Sequence, residues 1–133
     1  SMSEGSAEQI TVCLTEEGRD YETVLAALKT GLGESGAVSP ALIEFVQSCL
    51  QHYREDDIAV PATSGELTTG PFRFQLRPQL VVVAMDPACR YFREQTLTIA
   101  RQAGLTAIDH QNGFLFVPPS HKKKRWWRIQ KPS

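Results

Sequence analysis

The chain has 133 residues, 41% of them hydrophobic and 22% charged, with 8 prolines and 9 glycines. That balance fits one compact domain and excludes a disordered or fibrous chain. Such a chain buries roughly two-thirds of the surface it exposes when unfolded, which is enough for a core without disulfide or metal staples. The net charge of −1 hides a strong asymmetry: residues 1–57 hold eleven of the fifteen acidic groups against Arg19, Lys29 and Arg54, a net −8. Residues 121–133 carry Lys122, Lys123, Lys124, Arg125, Arg128 and Lys131 with no acid, a net +6.

The longest uninterrupted apolar run, Leu80 to Met85, falls far short of the roughly 20 residues of a membrane span. No membrane span is expected, and no signal peptide is read. Ser1 and Met2 read as an expression scar or initiator region. Cys13, Cys49 and Cys89 form an odd set with no CxxC pair. This favours a reducing, intracellular setting, cytoplasmic or nuclear, over a secreted disulfide framework.

Residues 1–9 read as a disordered, acidic N-terminal segment, residues 10–119 as a single domain, and residues 120–133 as a basic C-terminal tail. Ile10 to Leu14 is short and rich in β-formers, which predicts a strand. Tyr21, Val24, Leu25, Leu28 and Leu32 recur at helical spacing, and Gly31, Gly33 and Gly36 end that helix. Ser39-Pro40 starts a second helix by capping, with Leu42, Val46, Cys49, Leu50 and Tyr53 on its buried stripe. The short link makes the two helices antiparallel neighbours. Ile58 to Val60 reads as a short strand, and Pro61 to Pro71 has the composition of a mobile loop.

Phe72, Phe74 and Leu76 alternate with Arg73, Gln75 and Arg77, a strand with one buried and one wet face. Leu80 to Met85 is apolar on both faces and predicts the central strand. Asp86-Pro87 opens a third helix to about Ala103, with Phe92, Thr96, Ile99, Ala100 and Ala103 inward and Gly104 as its stop. Leu105 to Ile108 and Phe114 to Val117 form a hairpin around a turn at 109–113. The fold expected is α+β, a mainly antiparallel sheet with helices on one face, in the order β-α-α-β-β-β-α-β-β.

Several patterns invite chemistry. Gly31 to Gly36 spells G-x-G-x-x-G, but it follows a helix rather than a strand and carries Glu34, so it reads as a helix linker and not a dinucleotide site. Cys89 falls in the first turn of the third helix near Arg90 and Arg93, where a thiolate is favoured. No histidine is close in sequence and Gln95 occupies the place of a phosphatase-type arginine, so Cys89 as a nucleophile is the third choice and no catalytic residue is assigned. Cys49 and His52 stand at helical i, i+3 spacing but offer only two ligands where structural zinc takes four; neither a metal nor a cofactor is expected. Glu16-Glu17 and Glu55-Asp56-Asp57 read as solvated clusters, and Asp86 and Asp109 as a cap and a turn residue.

The tail is the most distinctive segment. Lys122, Lys123, Lys124, Arg125 and Arg128 supply phosphate contacts, while Trp126 and Trp127 offer rings on which unpaired bases stack. Arg73 and Arg77 on the wet strand face extend the same chemistry. The sequence therefore points to a non-catalytic module that contacts nucleic acid, single-stranded RNA ahead of DNA. The alternative is a protein partner held on an acidic helical hairpin or a sheet edge.

Overall fold

The computed structural model describes residues 8–15, 20–55 and 57–118 in full and the backbone of 127–130. The elements are β1 (Glu8–Cys13), α1 (Tyr21–Gly31), α2 (Pro40–His52), β2 (Gly65–Thr69), β3 (Phe72–Leu76), β4 (Leu80–Met85), a 3₁₀ turn (Pro87–Cys89), α3 (Tyr91–Gln102), β5 (Thr106–Asp109), β6 (Phe114–Val117) and β7 (Trp127–Gln130). The strands form one sheet in the order β2-β3-β4-β1-β5-β6-β7, and every neighbouring pair is antiparallel. The α+β class and the expected element order hold, with β7 added at the end.

β4 sits inside the sheet and is buried along its whole length, because its side chains are apolar on both faces. Val81, Val83 and Met85 join Ile10, Val12, Phe72, Phe74 and Leu76 under α2 and α3, where Leu42, Phe45, Val46, Leu50, Leu97 and Ala100 complete the larger core. Leu80 and Val82 join Cys13, Ile108 and Leu115 on the other face, under Tyr21, Val24 and Leu28 of α1. The helices thus divide between the two faces, where the sequence pattern implied one. A strand that is apolar on both faces needs cover on both.

It follows that α1 and α2 are not neighbours, and an acidic helical hairpin does not form. The glycine-rich link between them rounds the end of the sheet at the β3–β4 turn, where Ser39 N donates to Pro78 O at 3.0 Å and Arg77 Nε donates to Leu32 O at 2.9 Å. Eight residues of link suffice for this passage, so a short connection was no evidence for adjacent helices. Leu32, beyond the last turn of α1, is consequently 40% exposed.

Two further expectations are corrected. Ile58 to Val60 is not a strand; the first strand of the run of three between α2 and α3 is β2, inside the segment read as a loop. Gly70-Pro71 is the two-residue turn of the β2–β3 hairpin, in which Thr69 faces Phe72, and Gly70 takes φ +50°, a conformation glycine adopts without steric cost. Turn residues hid the strand that they terminate. At the second helix, Pro40 holds the first position, but the Ser39 hydroxyl makes no capping bond; the Ser39 carbonyl accepts from Leu42 N and Ile43 N instead. Asp86 does cap, accepting from Ala88 N at 2.9 Å, although the segment it starts is the 3₁₀ turn that leads into α3.

Burial and flanking strands together make β4 the slowest-opening part of the sheet. Amide hydrogen exchange is expected to leave Val81 to Ala84 protected longest, with residues 61–71 exchanging much faster, since β2 is an edge strand. Equal rates in the two segments would contradict this placement.

Candidate functional site

The residues assigned from sequence to nucleic-acid contact fall into two groups. Lys122, Lys123, Lys124, Arg125 and Trp126 lie outside the described residues. Trp127 and Arg128 begin β7, which pairs antiparallel with β6: Val117 opposite Trp127, Phe116 opposite Arg128, Leu115 opposite Ile129, Phe114 opposite Gln130. Part of the segment read as a tail is therefore a strand at the edge of the sheet. The signal was present in Trp127-Arg128-Ile129-Gln130, which alternates large apolar and polar residues as strands do.

Arg73 stands on β3 and Arg77 just beyond its end, and β3 lies five strand positions from β7, or about 24 Å at the usual spacing between strands. The structure does not bring them to the tail strand. Arg77 is committed elsewhere: besides Leu32 O, its guanidinium donates from Nη1 to Leu76 O at 2.9 Å. It acts as a clamp on the α1–α2 link. Arg73 lies half-buried on the α1 side of the sheet, and its Nε is buried without a hydrogen-bond partner.

A buried ionic cluster was missed by sequence reasoning. Asp109, fully buried at the end of β5, pairs with the Arg93 guanidinium from α3. Its carboxylate also accepts from Gln111 N at 3.1 Å, Asn112 N at 3.4 Å and Asn112 Nδ2 at 2.9 Å. The expected turn residue is thus a turn residue and a docking point for α3 together. Next to it, His110 shares a 2.7 Å hydrogen bond with the Thr11 hydroxyl, and desolvation lowers its pKa. With both carboxylate oxygens engaged and Arg93 covering the group, the cluster holds α3 against the β5–β6 turn and leaves no atom free for a reacting substrate.

A second polar group is buried between α2 and α3. The Tyr53 hydroxyl donates to Thr96 Oγ1, which donates in turn to Phe92 O at 2.8 Å. The Tyr53 ring stacks on Phe72 with centroids 3.9 Å apart and meets Phe92 edge-on at 5.2 Å. Cys49 lies beneath, fully buried, and burial pushes its thiol pKa up to about 12. A thiol held protonated is a poor metal ligand and a poor nucleophile; His52, at i+3 spacing from Cys49, is exposed. Cys89, the one nucleophile candidate of the sequence, packs half-buried against the α2–α3 core from its 3₁₀ turn.

The raised Cys49 pKa has a consequence for stability. The unfolded thiol loses its proton near 9 and the folded one near 12, so between those values the folded state holds the extra proton. This contribution is complete below pH 9 and is lost as pH rises, at about 1.4 kcal/mol per pH unit. The urea midpoint is expected to fall between pH 9 and 11, and to fall less steeply in Cys49→Ala. Identical pH slopes in the two proteins would refute the assignment.

Comparison with family models, with curated proteins and with solved structures finds no match to this chain. Among the described residues no helix is long and apolar enough to cross a membrane.

Proposed function

We propose that this protein is a non-catalytic module that binds single-stranded RNA through its C-terminal segment, with Lys122, Lys123, Lys124, Arg125 and Arg128 on phosphates and Trp126 and Trp127 stacked on bases. The observation that carries this reading is the pairing of β7 with β6. It holds residues 127–130, which follow the basic run 122–125 in sequence, at the edge of a packed sheet, and a contact with an anchored end gives up less conformational freedom on binding than a free tail does. Acidic groups concentrate in residues 1–57, and binding then depends on charge at one end of the chain. Arg77, held by backbone carbonyls, drops out of the contact, and Arg73 at the far side of the sheet is at most a secondary one.

The test is a titration of a labelled single-stranded RNA against salt. Six positive groups set a log–log slope no steeper than about −4 on a single strand. Trp126→Ala with Trp127→Ala is expected to cost about 1–3 kcal/mol per stacked base and to leave that slope nearly unchanged, which separates stacking from charge. A second reading, a protein partner adding a strand, is favoured by β2, whose only strand partner among the described residues is β3 and whose outer edge offers backbone groups for pairing. RNA binding that is absent at low salt would transfer the proposal to that edge.

A further inference from the structure

We infer that the cavity between α1 and the sheet binds a small primary amine carrying a short hydrocarbon body. The cavity holds about 340 Å³, at the lower end of the range for small-molecule sites, roughly 300–1,000 Å³. Its apolar wall comes from Leu14, Val24, Ala27, Leu28, Leu80 and Val117. Gly31 closes one end: a Cβ there would fall 2.7 Å from Leu80 Cδ2, so any larger residue displaces the Leu80 side chain.

The polar part of the wall decides the ligand's chemistry. Thr15 Oγ1 donates to Gly104 O at 2.9 Å, which uses its one hydroxyl hydrogen. In its 3.0 Å contact with Thr106 Oγ1 the hydrogen therefore comes from Thr106. Both hydroxyls have spent their protons within the protein and turn only lone pairs outward. Glu34, exposed at the rim, adds a carboxylate that accepts and cannot donate. Gln79 adds a carboxamide, whose oxygen accepts and whose NH2 donates, and no lysine, arginine or histidine stands among the described lining residues. The one charged group of the described lining is thus a carboxylate, and with the two threonine oxygens and the Gln79 oxygen above an apolar floor it matches an ammonium group, which brings three donors and a positive charge, followed by a hydrocarbon of a few carbons. A carboxylate or phosphate meets Glu34 with no cation among the described lining residues to offset it, so this site is separate from the RNA contact and does not depend on it.

The probe is hexylamine, titrated into the ¹⁵N-labelled full chain at neutral pH beside hexan-1-ol and hexanoate. Hexylamine is expected to give saturable shifts centred on the amides of Gly31, Glu34, Leu80 and Val117, with hexan-1-ol weaker and hexanoate without effect at the same concentrations. Glu34 and Ala27 are both exposed, so their replacement leaves the fold intact. Glu34→Gln is expected to weaken hexylamine about two- to fivefold, the range of an exposed ion pair, and Ala27→Phe to remove the saturable shifts by filling the mouth. Hexanoate binding as tightly as hexylamine, unchanged affinity in Glu34→Gln, or no saturable response to the amine would each overturn the inference.

Discussion

Asp109→Ala is expected to destabilise the protein by about 3–5 kcal/mol, the cost of leaving a buried charge without its partner. That is a large part of the 5–15 kcal/mol typical of a single domain. The side chain that disappears accepts hydrogen bonds from Gln111 N, Asn112 N and Asn112 Nδ2 and neutralises Arg93. Arg93 is only 17% exposed, so its guanidinium stays largely desolvated, with the exposed Glu94 carboxylate at 2.9 Å as its remaining ionic contact. Adding Arg93→Leu to Asp109→Ala removes the stranded charge, and the double variant is expected to be more stable than Asp109→Ala alone. Urea midpoints at constant m decide the matter. A loss below about 1 kcal/mol in the single variant would mean that the pair contributes no more than an exposed one.

How much of this was legible in the sequence depended on whether a pattern was local. Leu80 to Met85 announced a central strand because burial on both faces leaves no polar position, and Phe72 to Leu76 announced a one-sided strand by alternation; both stand as read, with the same limits. The three helices were found from their apolar spacing, with Phe45 in α2 and Leu97 in α3 added to the buried stripes. What a local pattern does not contain is which face a helix takes. Tyr21, Val24 and Leu28 have the periodicity of a core helix on either side of the sheet, and only the path of the link past Pro78 places α1 opposite α2. The same limit hid the Arg93–Asp109 pair: sixteen positions apart, in a helix and a turn, each residue has an ordinary local role. The amine cavity was invisible for a related reason, since Thr15, Glu34, Thr106 and Val117 come from four separate parts of the chain. For the RNA contact, residue type was the signal, and strand alternation at Trp127 to Gln130 was outweighed by the charge run before it.

The largest effect on function is expected from the C-terminal segment. Removing residues 121–133 takes away all six positive groups and both tryptophans, and RNA binding should disappear. The deletion also removes β7 and bares the edge of β6, so loss of binding in that protein alone has two explanations. Replacing Lys122, Lys123, Lys124 and Arg125 together by glutamine separates them, because Trp127 to Gln130 keep their places opposite β6. With two of the six charges left, the salt slope is expected to fall to no steeper than about −1.4, one-third of its original limit. Binding at moderate salt should weaken by at least tenfold, while the urea midpoint stays unchanged.

The most direct test of the account is the affinity of a labelled single-stranded RNA at low salt for the intact chain and for this fourfold glutamine variant. The account predicts binding by the intact protein that is lost or reduced at least tenfold in the variant, and equal affinities, or no binding by either protein, would contradict it.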